Sequence, residues 1–509
     1  MATHKGADSG PVRAVPEALR IKAKLIPDRI AHDDTRRTLT MAQWNQEADE
    51  VAGGLIKAGV NKGDRVLLAI SNANAVEMAI AVIAVMRAGA IGVPISPRIS
   101  PVELTTYGAL IEPRFAITND PASLTPLSLE KVWHVDDMPR TPEALPAEPL
   151  FTIDDVALIL GTSGTTGAIK GVVNAHSDLG AQIGNGDYVD KHHNSTLHAL
   201  PFTSSGGMHG ECLLPIAAGA TCYTQPKFDP GGFLKMVQEK KPTTIYFVPT
   251  MLRLVLDHPD AAKTDFSSVR YILTGTAPLP HDSAVRALEL WPHVNMRNSY
   301  GMSEGGIGAS TKTNASLLKS GCVGPLPAHM QIRDEDGNPV GPGVVGEIYG
   351  KPKFQRRYWR DEEGTGKSWV GGWTRTGDLG YVDEDGDLII SGRAKDIIIR
   401  GGFNISPIEI ENVLHDHPAV KDAAAIGVPH DVLGEDVAAA VSLNTGAKAT
   451  PEDLIAWCQE RLAGNKVPRT ILILPELPLN PNSKVLKREL KPIVEQAAAE
   501  RRAASKVAG

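Results

Sequence analysis

The chain has 509 residues, too many for a single hydrophobic core, and this length predicts about three domain-sized units. Its 42% hydrophobic and 22% charged residues are typical of a soluble globular protein. The 52 basic and 59 acidic residues give a net charge of −7, which excludes an overall basic field that would recruit nucleic acid.

Cysteine usage and apolar stretches suggest a reducing compartment. The four cysteines are scattered without CxxC spacing, which argues against a zinc site and a disulfide framework. The first ten residues lack the apolar core of a signal peptide. The most apolar long stretch, residues 75–95, is interrupted by Glu77, Arg87 and Pro94, so it predicts a buried helix and strand. We expect a cytoplasmic protein without an integral membrane segment.

Helices alternate with short apolar strands over residues 16–118, which predicts crossover units on a largely parallel sheet. Residues 119–153 are rich in Pro, Ser and Asp and predict a loop with little regular structure. A second alternating region follows. Its predicted strands are residues 156–160, 244–248 and 271–274.

The sequence pattern changes at about residue 330, where short β runs and Asp-Gly turns predict a β-rich subdomain. A compact α+β unit begins after residue 396. Its predicted elements are a strand at 397–400, a helix at 407–415, a strand near 423–427, a helix at 451–462 and an exposed helix or frayed tail at 495–506. The sequence therefore predicts an α/β fold. Its large N-terminal domain, residues 1–394, comprises two αβ subdomains (about 16–330) and a β-rich subdomain (about 331–394), followed by a small C-terminal domain, residues 395–509.

A Gly/Ser/Thr loop follows the predicted strand 156–160 and reads Gly161-Thr-Ser-Gly-Thr-Thr-Gly-Ala-Ile-Lys-Gly171. Glycines allow a backbone to approach phosphate closely, and Lys170 adds a point charge for phosphate oxygens. The spacing is not that of a Walker loop, because Lys170 follows Gly167 by three residues and no Ser or Thr follows the lysine. This loop predicts a grip for a triphosphate or pyrophosphate. The alternative is a flexible surface turn.

Three other segments carry chemistry-bearing residues. Asn298-Ser-Tyr-Gly-Met-Ser-Glu304 offers Tyr300 to stack on a base and Glu304 to hold magnesium. Trp373-Thr-Arg-Thr-Gly-Asp378 places an aspartate in a turn, where it could accept hydrogen bonds from ribose hydroxyls. Pro478-Leu-Asn-Pro-Asn-Ser-Lys484 places one lysine on a loop near the C-terminus.

In order and spacing, these motifs resemble those of the adenylate-forming (AMP-binding) superfamily, most closely its acyl-CoA synthetase branch. The resemblance covers about residues 16–490. It implies that a carboxylic acid reacts with ATP to give an acyl-adenylate and pyrophosphate, and that CoA then takes the acyl group and releases AMP. It also implies Mg²⁺ as cofactor, and a small mobile C-terminal domain that rotates between the two steps.

The resemblance assigns roles residue by residue. The catalytic residues are Lys484 and Glu304, the magnesium ligands are Glu304 and Thr165, and the hinge is Lys395. The residues that bind ATP or AMP are Thr162, Ser163, Gly164, Thr165, Thr166, Gly167, Lys170, Tyr300, Gly301, Ser303, Asp378 and Arg393. CoA binds at Gly401, Gly402 and Phe403, and the acid at Thr203, Ser204, Gly207, Gly275, Thr276 and Gly305.

The chain departs from the superfamily's usual pattern at several positions. Ile169 replaces a proline, Ser303 a threonine and Ser483 a glycine, while Thr203 and Ser204 stand where relatives often carry histidine or an aromatic residue. The segment around Phe202 has no aspartate to pair with a substrate ammonium, so an α-amino acid is disfavoured.

Small residues in the acid segments favour a fatty or bulky apolar acid, whether alicyclic, steroid-derived or aryl. Alternatively, these glycines serve backbone geometry alone. Two other functions stay open at this point: a stand-alone enzyme that loads an acid onto a carrier protein, and a non-catalytic adenylate-binding protein. A homodimer is also open.

Overall fold

Four β-sheets organise the chain. The computed structural model describes residues 12–163, 169–184, 188, 194–305, 307–352, 356–479 and 485–507. The elements of the first 184 residues are α1 Val15–Leu25, β1 Ile30–Asp33, β2 Thr38–Thr40, α2 Met41–Lys57, β3 Arg65–Ala69, α3 Ala75–Arg87, β4 Ile91–Pro94, α4 Pro101–Ile111, β5 Phe115–Thr118, β6 Lys131–His134, β7 Val156–Ser163, β8 Ile169–Ala175 and α5 His176–Ile183.

The first sheet has the strand order β6-β5-β3-β4-β7-β8. Its first five strands run parallel and β8 returns antiparallel to β7. All thirteen residues of α3 are buried, which confirms the prediction of a buried helix in this apolar stretch. Capping boxes begin two neighbouring helices, α2 at Thr40 with Gln43 and α4 at Ser100 with Glu103.

The second region completes an eight-stranded sheet that β1 and β2 join from the N-terminal end of the chain. Its elements are β9 Ser195–His198, α6 Ser205–Gly207 with a π-helical turn at Met208–Cys212, α7 Leu214–Ala218, β10 Thr221–Thr224, α8 Pro230–Lys240, β11 Thr244–Phe247, α9 Pro249–Leu256, β12 Tyr271–Gly275, α10 His281–Leu290, β13 Asn295–Gly301, β14 Gly308–Ser310 and α11 Asn314–Leu317. The strand order is β14-β13-β12-β11-β9-β10-β1-β2.

The third sheet is antiparallel and forms the predicted β-rich part. Its elements are β15 Cys322–Pro325, β16 Met330–Arg333, β17 Gly346–Gly350, α12 Glu362–Ser368, β18 Trp369–Val370, β19 Trp373–Val382 and β20 Asp387–Arg393. Its strand order is β15-β20-β19-β17-β16, with β18 paired to β19.

The fourth sheet contains the C-terminal strands. Its elements and helices are β21 Ile398–Arg400, β22 Phe403–Ile405, α13 Pro407–His415, β23 Val420–His430, β24 Gly434–Leu443, α14 Pro451–Gln459, β25 Thr470–Leu474 and α15 Lys487–Val507. The strand order is β22-β21-β24-β23, and β25 pairs with β24 in parallel. The predicted α/β fold is confirmed; the division at residue 394/395 stays a prediction.

Two predictions of secondary structure are incomplete. Residues 119–153 are not loop alone, because β6 pairs in parallel with β5 as an edge strand. The C-terminal helix begins at Lys487, well before residue 495, and one of its faces is buried through Leu490, Val494 and Ala498. Among the described residues, no helix is both long enough and apolar enough to cross a membrane.

Candidate active site

The carboxyl ends of neighbouring parallel strands carry the segments that the sequence predicts around the acid and the nucleotide. β9, β11, β12 and β13 lie side by side in the second sheet. The acid segment containing Ser204 follows β9, Thr276 follows β12, and Glu304 follows β13. Open parallel sheets bind ligands at their carboxyl ends. The topology therefore brings these three segments to one edge.

The two ends of the predicted phosphate loop lie on paired strands. β7 and β8 pair antiparallel, and Thr162 lies directly opposite Lys170. The Thr162 hydroxyl is buried and has no hydrogen-bond partner among the described residues. Gly164, Thr165, Thr166 and Gly167 lie outside the described residues. A strand-to-strand loop differs from a Walker loop, which leads into a helix.

Lys170 contacts two residues that the sequence analysis did not single out. Its ammonium nitrogen lies 3.1 Å from Asp361 Oδ2 and 4.3 Å from the centre of the Tyr358 ring. The carboxylate and the ring face both attract a cation. Lys170 is thus held at the loop end of the paired strands β7 and β8.

Glu304 is held by the same tyrosine. The Tyr358 hydroxyl donates a hydrogen bond of 2.9 Å to Glu304 Oε1. Burial and the nearby Glu304 carboxylate raise the pKa of Tyr358, so its hydroxyl keeps its proton. The buried Arg356 donates to the carbonyl oxygen of Ser303 at 2.7 Å, which fixes the backbone beside Glu304.

Tyr300, Asp378 and Arg393 meet across two sheets, as the predicted nucleoside site requires. The Tyr300 hydroxyl donates to Asp378 Oδ2 at 2.6 Å, and Arg393 Nε lies 3.0 Å from Asp378 Oδ1. Asp378 is buried. A carboxylate can accept about four hydrogen bonds, so Asp378 retains lone pairs for ribose hydroxyls. Burial and the Asp378 carboxylate raise the pKa of Tyr300.

The glycines in the predicted acid segments have different surroundings. A methyl group added at Gly207 would overlap the carbonyl oxygen of Pro201, and one added at Gly305 would lie 2.8 Å from the Arg356 guanidinium. At Gly275 it would meet the carbonyl oxygen of Ser299 at 2.8 Å. Close packing against the backbone therefore accounts for Gly207 and Gly275, whereas the Arg356 side chain and a φ of +80° account for Gly305. A methyl group added at Gly206 would make only ordinary van der Waals contacts, at 4.0 Å from Thr276 Cγ2 and from the Tyr246 hydroxyl, so this position has room for one.

Two hydroxyl residues of the predicted acid site, Ser204 and Thr276, have unusual local geometry. Ser204 accepts a hydrogen bond from the Gly207 N–H at 3.0 Å and donates to the Pro201 carbonyl at 2.8 Å, so it caps α6. Thr276 has φ of +70°. This left-handed conformation is strained for a β-branched residue, and such strain clusters at functional sites.

Tyr246, which the sequence analysis also missed, reaches the same edge from β11. Its hydroxyl lies 3.1 Å from the Cβ position of Gly275 and 4.0 Å from that of Gly206. No hydrogen bond to this hydroxyl occurs within the described part of the chain. Burial, followed by the charge of Glu211, raises the pKa of Tyr246 to about 12, so it is a phenol at neutral pH.

Beneath this edge lies a fully buried polar cluster of His198, Glu211 and Cys222, whose ligand-type atoms lie within 4.8 Å of one another. The Leu200 N–H donates to His198 Nδ1 at 3.0 Å, so the neutral ring carries its proton on Nε2. A metal-bound histidine instead donates a proton through its second ring nitrogen. This cluster is therefore a hydrogen-bonded network, not a metal site. Burial raises the pKa of Glu211 to about 8 and lowers that of His198 to about 3.

The C-terminal residues of the predicted site lie partly outside the description. Lys484 and Ser483 are not among the described residues. Lys395 is exposed in a short 3₁₀ turn between β20 and β21. Gly401, Gly402 and Phe403 form the exposed β21–β22 turn, with Phe403 61% exposed.

The structure thus connects segments that are far apart in sequence. One series of contacts runs from Lys170 through Tyr358 to Glu304, and another from Tyr300 through Asp378 to Arg393. Tyr300 and Glu304 belong to one motif, so the two series adjoin. A single sequence contains no local signal for Tyr358, because its partner Glu304 lies 54 residues away.

Comparison with known proteins identifies the family. Residues 19–359 match the AMP-binding enzyme family, and residues 409–484 match the AMP-binding enzyme C-terminal domain. The chain belongs to the AMP-binding enzyme family. The predicted family and enzyme class, an AMP-forming acid–thiol ligase, are confirmed.

Three similar proteins are CoA ligases. A feruloyl-CoA synthase of Amycolatopsis sp. is 32% identical over 96% of this chain and 99% of its own length. A 2-succinylbenzoate–CoA ligase of Bacillus cereus is 32% identical over 95% of this chain and 100% of its own. The o-succinylbenzoate CoA synthetase MenE of Bacillus subtilis, solved with ATP and a magnesium ion, is 28% identical, with a TM-score of 0.82 over 93% of this chain and 99% of that chain.

Proposed function

We propose that this AMP-binding enzyme is an ATP-dependent acyl-CoA ligase whose acid is a bulky aryl carboxylate. The adjoining contacts from Lys170 to Glu304 and from Tyr300 to Arg393 support the proposal, because these side chains have the chemistry to bind phosphates, a metal ion and a nucleoside. The CoA ligases of feruloyl and succinylbenzoyl substrates among its relatives support the acid class.

The first half-reaction joins two anions. A carboxylate oxygen of the acid attacks the α-phosphorus of ATP, the bond to the β-phosphate oxygen breaks, and pyrophosphate leaves. Lys484 neutralises charge between the carboxylate and the α-phosphate, and Lys170 holds the departing pyrophosphate. Asp378 and Tyr300 fix the nucleoside, which supplies orientation.

The donor set suits a magnesium ion. The Glu304 carboxylate is an oxygen ligand of the kind that magnesium prefers, and the Thr165 hydroxyl would be a second. When bound, the ion would offset charge on the phosphates. Tyr358 holds the ligand carboxylate in place, and Arg356 holds the backbone beside it.

The second half-reaction transfers the acyl group to CoA. The sulfur attacks the acyl carbon, the bond from that carbon to the AMP oxygen breaks, AMP leaves, and the thiol proton passes to solvent. We propose that the C-terminal part turns about Lys395 between the steps and brings the Gly401–Phe403 turn to the thiol channel. A hinge needs residues that absorb a large change in backbone angles.

The surroundings of Gly206 support an aryl acid. The position of a side chain at Gly206 lies 4.0 Å from both Thr276 Cγ2 and the Tyr246 hydroxyl, so a group placed there would contact these two residues. A flat ring would fit beside a tyrosine ring, and a polar ring substituent would meet the free hydroxyl. A saturated fatty chain would leave that hydroxyl without a partner, which costs binding energy.

The test is thioester formation with purified protein, ATP, Mg²⁺ and CoA, measured by mass spectrometry. The panel holds hydroxycinnamates, substituted benzoates, a long-chain fatty acid and a polycyclic acid. We expect thioesters of the aryl acids at higher kcat/KM than of the fatty acid. Preference for the fatty or polycyclic acid would contradict the aryl assignment, and AMP release without any CoA thioester would favour a carrier-protein acceptor.

A further inference from the structure

The segment 356–361 is attached to the strand that carries the phosphate-loop lysine. The Trp359 N–H donates to the Gly171 carbonyl at 2.7 Å, and the Val173 N–H donates to the Arg357 carbonyl at 2.9 Å. Tyr358 thereby forms a β-bridge with Val172. The backbone of Tyr358 is thus fixed relative to β8 at Val172, which lies two residues after Lys170.

The Tyr358 side chain is fixed as firmly as its backbone. It is 7% exposed and packs between Val172 and Trp369. The Trp369 ring meets it edge-on with 5.0 Å between ring centres. This packing leaves one orientation in which the hydroxyl reaches Glu304 and the ring face lies under the Lys170 ammonium.

In the proposed function, Glu304 binds the magnesium cation and Lys170 binds the phosphate anions. The distance between the two side chains therefore has to match the distance between the bound cation and the phosphates. A glutamate side chain has three rotatable bonds and loses much entropy when it is held. A hydrogen bond from a rigid donor orients a ligand carboxylate before the metal arrives, and loss of such outer partners weakens metal binding. Tyr358 supplies that donor and, with the same ring, a second attachment for Lys170.

We propose that Tyr358 is a positioning residue that sets the Glu304 carboxylate and the Lys170 ammonium at a fixed separation for magnesium and the ATP phosphates. The inference rests on the proposed function, which assigns Glu304 to the metal and Lys170 to the phosphates. The contacts of Tyr358 with Glu304 and with Lys170 can be separated. Tyr358→Phe removes the hydroxyl that binds Glu304 and keeps the ring that lies under Lys170, whereas Tyr358→Leu removes both.

The experiment measures binding instead of turnover. Mn²⁺, which shares the oxygen-ligand preference of Mg²⁺, is titrated by electron paramagnetic resonance into the full-length protein saturated with a non-hydrolysable ATP analogue. Binding of the analogue alone is measured in EDTA by calorimetry. Tyr349→Phe is the matched control, since Tyr349 is equally buried and carries the Arg333 guanidinium 4.8 Å from its ring centre.

We expect Tyr358→Phe to weaken Mn²⁺ affinity by about tenfold while analogue affinity in EDTA and the thermal midpoint stay unchanged. Tyr358→Leu should weaken both affinities, and Tyr349→Phe neither. Wild-type Mn²⁺ affinity in folded Tyr358→Phe would overturn the proposal, as would equal loss in Tyr349→Phe. Glu304→Gln separates the premises: if it binds Mn²⁺ like the wild type, the proposed function's metal assignment fails rather than the role of Tyr358.

Discussion

At the residue scale, the adjacent glycines Gly206 and Gly207 differ in how much room the surrounding atoms leave for a side chain. Gly207 packs against the Pro201 carbonyl with no room for a methyl group, whereas Gly206 meets only atoms 4.0 Å away. Both lie in α6, where alanine is otherwise favoured over glycine. Only one of the two positions can therefore report on the acid pocket.

A pair of alanine variants tests this difference. Gly207→Ala should destabilise the protein by about 1–3 kcal/mol through overpacking. Gly206→Ala should leave the thermal midpoint at or slightly above that of the wild type, because alanine is favoured in a helix, and should reduce kcat/KM for the bulkiest aryl acids more than for benzoate. Calorimetric melting and thioester kinetics check both, and equal midpoints for the two variants would contradict the assignment.

Glu211 makes stability depend on pH in a defined direction. Burial raises its pKa to about 8 from a usual 4.5, so the folded protein keeps a proton that the unfolded chain loses. The free energy of unfolding should therefore fall as pH rises from about 4.5 to 8. Buried His198 and His209, with pKa values lowered to about 3, act oppositely as pH falls below 6.5.

A variant isolates the contribution of Glu211 from those histidines. Glu211→Gln should become progressively more stable than the wild type between pH 5 and 8, because glutamine has no proton to lose. Urea unfolding at intervals of about one pH unit measures the difference. Glu289→Gln, exposed on α10, is the control and should follow the wild type. Parallel curves for Glu211→Gln and the wild type would contradict a buried neutral carboxyl.

At the element scale, α15 is rich in alanine and charged residues and yet has one buried apolar face. Leu490, Val494 and Ala498 recur at four-residue intervals and are buried against the C-terminal sheet, while Ile493 is 49% exposed. Leu490→Ala should cost about 2–5 kcal/mol, and the matched Ile493→Ala much less. Thermal unfolding of the two variants checks this difference. A loss at Ile493 as large as that at Leu490 would contradict the packing of α15.

The sequence was most informative where local pattern and structure coincide. The helix predicted at 407–415 and the strand at 271–274 appear as Pro407–His415 and Tyr271–Gly275, because a proline at the first helical position and apolar runs define them locally. The edge strand β6 was missed because only four residues pair, in a segment rich in turn-forming residues.

The site follows the same rule. Motif residues such as Tyr300 and Asp378 could be named from order and spacing, and they do lie in contact. Tyr358, Arg356 and Tyr246 could not, since each reaches the site through contacts between distant segments. Such contacts depend on the order of strands in the sheets, and local sequence patterns do not predict that order.

At the scale of the whole molecule, polar contacts between described residues join the elements of the fourth sheet to the rest of the chain. Arg253 in α9 donates to the backbone carbonyls of Val420 and Lys421, and Asn412 donates to Ser320 Oγ at 2.8 Å. Polar contacts of this kind are typical of interfaces between domains that move relative to each other. The covalent link through Lys395 lies in a three-residue turn.

A hinge variant tests the proposed rotation. Lys395→Pro fixes φ at one residue of that turn, so it should spare acid-dependent pyrophosphate exchange and lower CoA thioester formation by at least about tenfold. The two half-reactions are measured separately. Retained pyrophosphate exchange also shows that the variant is folded, so it serves as the control. Equal loss of both half-reactions would contradict the hinge.

The central claim is that this chain activates a carboxylic acid by adenylation, and ATP–pyrophosphate exchange without CoA tests it most directly. Wild-type protein with an aryl acid and Mg²⁺ should incorporate labelled pyrophosphate into ATP, only when the acid is present. Folded Lys484→Ala should lose this exchange. Absence of acid-dependent exchange from the wild type across the acid panel, or undiminished exchange in Lys484→Ala, would contradict the account.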